Sequence, residues 1–205
     1  MKLGLTTMTG KLVASVAVLG SAAAVAGLGT FGTFTATTSA STSVATGTVN
    51  IALGTAGSAA NRLTLGATGL VPGDTMQRAV DLTNTGDQAL ASLTLVTTAT
   101  TSSVLNTDTT NGLQLKVDSC PTAWVEAGTS PAFTYTCASP TTLVNNVPVI
   151  QAGAALTGLN ALTANGVDHL RVTLTLPTSA DNTFQNKTSA LTFTFNGTQR
   201  AATSK

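Results

Sequence analysis

Metal and acid–base chemistry draw on histidine, cysteine, aspartate and glutamate, and this chain of 205 residues is poor in them. His169 is its only histidine and Glu126 its only glutamate. The H-E-x-x-H pattern of zinc peptidases needs two histidines, so it is excluded. A Ser-His-Asp site would have to be assembled around His169, and the chain has no G-x-S-x-G elbow. His169 sits in Val167-Asp168-His169-Leu170-Arg171-Val172, on the strand face opposite Leu170 and Val172, which reads as a surface position. A single glutamate rules out hydrolysis by a glutamate pair, whereas an aspartate pair depends on spacing in three dimensions and stays open. Asp74, Asp81, Asp87 and Asp108 offer oxygen ligands of the kind calcium takes, but aspartates near turns more often bond the local backbone. No catalytic residue, metal or cofactor is expected.

Cys120 and Cys137 are the only cysteines. An even count in an exported chain favours a disulfide. The bridge would close about sixteen intervening residues, worth roughly 3 kcal/mol by chain entropy. Trp124, Phe133 and Tyr135 lie inside that loop, placed to pack over it. A redox-active pair is the functional alternative, although the spacing is unlike C-x-x-C. Leu176-Pro177-Thr178-Ser179-Ala180 is only a faint echo of a sortase signal, without the final Gly or a following hydrophobic tail. Asn186-Lys187-Thr188 and Asn196-Gly197-Thr198 are formal glycosylation sequons, a pattern that Thr-rich chains produce by chance.

The elements that must hold these residues follow from composition and patterning. Charged residues make up only 8% of the chain, far below the usual quarter, yet 42% is hydrophobic, enough to bury a core. The polar remainder is mainly Thr, Ser, Asn and Gln, and β-branched Thr fits pleated, half-buried surfaces. From Gly47 onward, period-2 alternation dominates. It runs through Val49, Ile51 and Leu53; Val80 and Leu82; Leu93 and Leu95; and Leu113, Leu115 and Val117. It is longest in Leu170, Val172, Leu174 and Leu176, and it closes with Leu191, Phe193 and Phe195. Turn chemistry separates the runs, at Val71-Pro72-Gly73-Asp74, Asn84-Thr85-Gly86-Asp87 and Asn111-Gly112. The pattern predicts an all-β, antiparallel sandwich of jelly-roll type with about eight strands and one wet face per sheet. A single core of Leu and Val is expected to take in Phe133, Phe184, Phe193 and Phe195.

The N-terminus has a different character. Lys2 and Lys11 precede an Ala/Gly-rich apolar run over residues 12–29, the pattern of a cleavable secretory signal. A run of roughly eighteen apolar and small residues is also long enough for a membrane anchor, but it is not Leu-rich and no basic stop-transfer cluster follows it. Cleavage is expected after Ala26 or near Gly32, ahead of Thr33. The organisation is therefore a signal segment (1–32), an extended uncharged segment (33–46), a β-sandwich domain (47–200) and a tail (201–205). Without Lys2 and Lys11 the chain keeps seven basic against eight acidic residues. No basic patch exists to recruit nucleic acid or anionic lipid, so membrane contact is expected only in passing, through the signal. Residues 33–46 cannot bury enough surface to fold alone; they would become a strand if another sheet edge supplied the partner.

Several segments, in order, resemble the TasA/camelysin family. Gly29-Thr30-Phe31-Gly32-Thr33-Phe34-Thr35, after the apolar run, resembles its signal region. Ala45-Thr46-Gly47-Thr48-Val49-Asn50-Ile51 is similar to its first core strand, and Leu70-Val71-Pro72-Gly73-Asp74-Thr75 to its L-x-P-G-D turn. Val80-Asp81-Leu82-Thr83-Asn84-Thr85-Gly86 resembles the strand and N-x-G turn that follow. Residues 184–195 resemble the closing strand, and Thr198-Gln199-Arg200 its T-Q ending. The chain departs from the family in its low charge and in its cysteine pair.

The resemblance implies processing by a SipW-type signal peptidase, with an aromatic residue just beyond a cut close to Gly32. It implies a jelly roll and a structural role outside the cell, in which subunits build biofilm-matrix fibres by donating an N-terminal strand to a neighbour. Phe34, Ala36 and Val44 are the donor-strand candidates, and the partners are other copies of the chain and further matrix proteins. It also brings the alternative of a secreted metalloendopeptidase, since some relatives are described so. A monomeric surface adhesin or sugar-binding module is the remaining reading.

Overall fold

In the computed structural model, which describes residues 48–63 and 69–202, every alternating run becomes a strand. Ten strands form: β1 (Ile51–Leu53), β2 (Thr75–Asn84), β3 (Leu90–Thr101), β4 (Gln114–Cys120), β5 (Val125–Ala127), β6 (Thr134–Thr136), β7 (Thr141–Pro148), β8 (Gln151–Leu156), β9 (Val167–Thr175) and β10 (Ala190–Gln199). Helix among the described residues is limited to one turn, α1 (Val104–Thr107), and two 3-10 segments, Asn160–Leu162 and Asn182–Phe184. Ser103 starts α1 because its hydroxyl accepts from the Leu105 N–H while its own N–H donates to Asn106 Oδ1.

The strands form a larger sheet in the order β1-β2-β9-β4-β7, a smaller sheet in the order β10-β3-β8, and the separate pair β5-β6. All pairings are antiparallel. Strand 2 pairs with 9, 3 with 8, 4 with 7 and 5 with 6. This nesting is a long hairpin wound on itself, the topology of a jelly roll. The eight strands β2–β9 carry it, and β1 and β10 are additions at the two sheet edges.

Inward-facing residues of the two sheets meet in one apolar layer. Val80, Leu82, Leu115, Val117, Leu170, Val172 and Leu174 face Leu93, Leu95 and Leu156, and none is more than 3% exposed. Each such side chain contributes about 1.5–3 kcal/mol relative to an exposed one. The turn before β2 is held by its own chemistry. Gly73 takes φ 97°, where only glycine is at ease, its N–H donates to Leu176 O, and Asp74 Oδ2 accepts from the Val71 N–H.

Two expectations need correction. The core is not single. Phe184 joins the main core, and Phe193 and Phe195 only flank it, half-buried. Phe133 lies in a second cluster with Ala79, Cys120, Trp124 and Tyr135. Nor is the outer face of the larger sheet simply wet, because that second cluster forms where the β5-β6 hairpin packs against β2 residues such as Ala79. The physical reason is the loop from Cys120 to Cys137, whose aromatic residues need cover and find it on the sheet.

Candidate functional site

Two surfaces concentrate the features that function requires: the outer face of the larger sheet and the edge of the smaller one. On the outer face, strand register does the positioning. Asp81 on β2 is opposite His169 on β9, and His169 is opposite Cys120 on β4. One step along, Ala79, Arg171 and Asp118 line up in the same way. His169 Nδ1 lies 2.6 Å from Asp81 Oδ1, and the histidine side chain is 23% exposed. It is thus on the outer face, as expected, but engaged rather than free. Trp124 Nε1 donates to the His169 carbonyl at 3.0 Å.

Cys120 and Cys137 are joined by a disulfide with a Cα–Cα distance of 6.1 Å. The bridge ties the end of β4 to the residue after β6, so the hairpin is strapped onto the sheet. Its aromatic side chains meet arginines: Arg171 stacks over Trp124 at 4.4 Å, and Arg62 and Arg78 approach the Phe133 ring at 4.7 and 5.7 Å. Arg62 Nη2 and Nε donate to Glu126 at 2.6 and 2.9 Å, and Tyr135 Oη donates to the same carboxylate at 2.9 Å. The Arg62 hydrogen bonds, outweighing desolvation, hold the Glu126 carboxyl below the usual range. Burial, with help from the bond to Glu126, pushes the Tyr135 phenol up to about 12. Burial lowers Arg78, and the nearby Arg62 charge adds to that. These charges look scattered in the sequence; only the register shows that they converge.

The smaller sheet is different in kind. None of the residues of β3, β8 and β10 is charged, and none is proline. β10 is an edge strand, paired on one side with β3 in unbroken register from Leu191↔Ala99 to Thr198↔Ser92. Its inward residues Leu191, Phe193 and Phe195 are only half-buried. β1 covers the far end of this edge, where the Ile51 side chain packs so closely on Gly197 that it leaves no room for a Cβ.

The four candidate calcium aspartates are kept apart, each with its own partner. Asp74 bonds its turn, Asp81 meets His169, Asp87 accepts from the Thr48 N–H, and Asp108 accepts from the Thr110 and Asn111 N–H groups. The signal-cleavage positions Ala26, Gly32 and Thr33 and the donor candidates Phe34, Ala36 and Val44 lie outside the described residues.

Together these features define an antiparallel β-sandwich of jelly-roll type whose smaller sheet ends, among the described residues, on the β10 edge. The chain belongs to the TasA/camelysin family: the family described as Camelysin metallo-endopeptidase matches residues 7–204. No curated protein matches its sequence. Membership agrees with a secreted or surface location. The family's description implies a catalytic metal, and the donors present do not fit one. Every histidine, cysteine, aspartate and glutamate falls among the described residues, and no three of them gather as ligands. The only histidine has Nδ1 on Asp81, both sulfurs are in the bridge, and buried Asp168 accepts from the Asn160 and Ala161 N–H groups.

Proposed function

We propose that this chain is a secreted structural subunit of the cell surface or biofilm matrix, released by a SipW-type signal peptidase, and that residues 33–46 of one copy add as a strand to the β10 edge of the next. The observation that carries this reading is the β10 edge, which no strand pairs with on its outer side among the described residues. Natural edge strands are blunted by lysine, proline, inward charges or a covering element, because unpaired N–H and C=O groups template association. β10 has none of the first three among its residues, and its half-buried Leu191, Phe193 and Phe195 would gain cover from a strand laid alongside. The segment 33–46 suits the edge: it has no charge, proline or glycine, and Phe34, Ala36 and Val44 share one face at period 2. Backbone hydrogen bonds would supply affinity and the alternate side chains register.

The test is deletion. The mature protein without residues 33–46 should remain a folded monomer by circular dichroism and sedimentation, and electron microscopy should find no fibres. Fibres formed by the truncated protein would sink the reading. The family description favours one competitor, a metalloendopeptidase. Casein cleavage that is abolished by chelator and by His169→Ala would establish that activity instead.

A further inference from the structure

We propose that the Cys120–Cys137 bridge is a thiol-exchange site, at which a low-molecular-weight thiolate attacks the Cys137 sulfur and Cys120 departs as the sulfur beside the Asp81–His169 pair. The register puts carboxylate, imidazole and sulfur side by side. Asp81, His169 and Cys120 are direct partners across three adjacent strands and point to the same outer face. Directly opposed Cβ atoms lie about 4.5–5.5 Å apart. Asp81 Oδ1, 2.6 Å from His169 Nδ1, fixes the ring and leaves Nε2 as the nitrogen that exchanges a proton. A residue order of carboxylate, imidazole and cysteine is the one that favours a thiolate in nucleophile sites, and the polar contact of the Cys120 sulfur in the oxidised protein is Thr122 Oγ1 at 3.7 Å.

Access decides which sulfur is attacked. Cys120 is 5% exposed, whereas Cys137 is only partly buried at the edge of the aromatic cluster. The attacking thiolate forms a bond to the Cys137 sulfur, and the electron pair of the S–S bond leaves on Cys120. His169 passes the proton on Nε2 to that sulfur. A second thiolate then attacks the mixed disulfide, giving two protein thiols and one oxidised small-molecule disulfide, so two thiols are oxidised for one bridge reduced.

The charges around the imidazole come from every element that packs near it. They are Asp81 and Arg78 on β2, Arg171 on β9, Asp118 and Lys116 on β4, and Glu126 with its partner Arg62 at the hairpin. Arg171 and Lys116 are paired to Asp118, and Arg62 to Glu126, so Asp81 is the carboxylate that acts on His169. Opening the bridge releases the strap that holds the β5-β6 hairpin on the sheet. Trp124, the only tryptophan, reports that release.

The test uses the purified chain with its bridge intact, reduced by glutathione, with iodoacetamide to trap freed thiols and peptide mass mapping to place them. Glutathione is expected on Cys137 and the alkyl group on Cys120. After correction for the fraction of glutathione thiolate, His169→Gln should slow reduction by about tenfold. That is below the usual gain from a positioned acid, because a thiol already leaves readily. Asp81→Asn, which keeps a hydrogen-bonding side chain, should show an intermediate rate. If His169→Gln alters the Trp124 emission of the oxidised protein, Asp81→Asn carries the test alone. Glutathione on Cys120, or variant rates equal to wild type, overturns the proposal.

Discussion

Arg171 Nη2 donates to Asp118 Oδ2 at 2.7 Å, and the carboxylate that accepts is only 1% exposed. Lys116 Nζ lies 2.8 Å from the other oxygen, and Thr142 Oγ1 donates to it at 2.7 Å. Burial pushes the Asp118 carboxyl up, but the hydrogen bonds from Arg171, Lys116 and Thr142 outweigh it and hold the group below its ordinary value. Asp118→Asn leaves Arg171 under the hairpin without its charge partner. The expected loss is about 3 kcal/mol, measured by denaturant unfolding with Trp124 emission as the signal. The linkage has a definite sign. A lowered folded-state pKa gives stability that is complete above the unfolded value, near 4, and is lost as pH falls through the folded value. Wild-type stability should therefore decline below about pH 4, and the variant should show a shallower decline.

Tyr135 offers the opposite limb of pH. It is the only tyrosine, is 4% exposed, and its phenol is pushed up to about 12. Absorbance of the folded protein should therefore titrate about two units above an ordinary phenol, near 10. Between those values the unfolded chain has lost its phenolic proton and the folded chain has kept it, so stability falls as pH rises. The loss should total about 2–3 kcal/mol. Tyr135→Phe should flatten this limb, and a normal phenol titration in the folded protein would refute the account.

Alternation revealed the strands whose large apolar residues face one core. Leu170 to Leu176 and Leu191 to Phe195 were legible for that reason. β8 was not, because Gln-Ala-Gly-Ala-Ala-Leu has few large side chains to alternate. β7 was hidden by irregular pairing with β4 around Val144 and by Asn146, whose φ is 47°. The hairpin strands have three residues each, too short to show a period. Long-range register was the larger loss. Nothing local in the sequence says that Ala79, Arg171 and Asp118, or Asp81, His169 and Cys120, become neighbours, since the contacts span up to 92 residues. The disulfide was legible from count alone, and its aromatic cover from the residues inside the loop.

Thr97 breaks the pattern of its own strand and makes a simple test of packing. It faces inward in line with Leu93 and Leu95, is fully buried, and its hydroxyl has no hydrogen-bond partner among the described residues. A buried polar group without a partner costs more than the methyl group that would replace it. Thr97→Val should raise the unfolding free energy by about 1 kcal/mol, with the midpoint shifted and the denaturant slope unchanged. A loss of stability would mean that the hydroxyl is satisfied, for example by a buried water.

The β10 edge can be tested without touching residues 33–46. Phe193 faces inward opposite Thr97 but is only half-buried, because no strand lies beyond β10 at that point among the described residues. An inward-pointing charge is one of the devices that natural edges use against pairing. Phe193→Lys should therefore be tolerated in the monomer, where the long side chain can carry its ammonium out past the open edge. The cost should be about 1–2 kcal/mol of lost apolar burial. Once a donor strand covers the edge, the same ammonium is trapped in an apolar groove, and assembly should fail. Thr194→Lys, on the exposed face of the same strand, is the control and should assemble. Light scattering and electron microscopy distinguish the two. Fibres from Phe193→Lys at wild-type yield would move the acceptor edge away from β10.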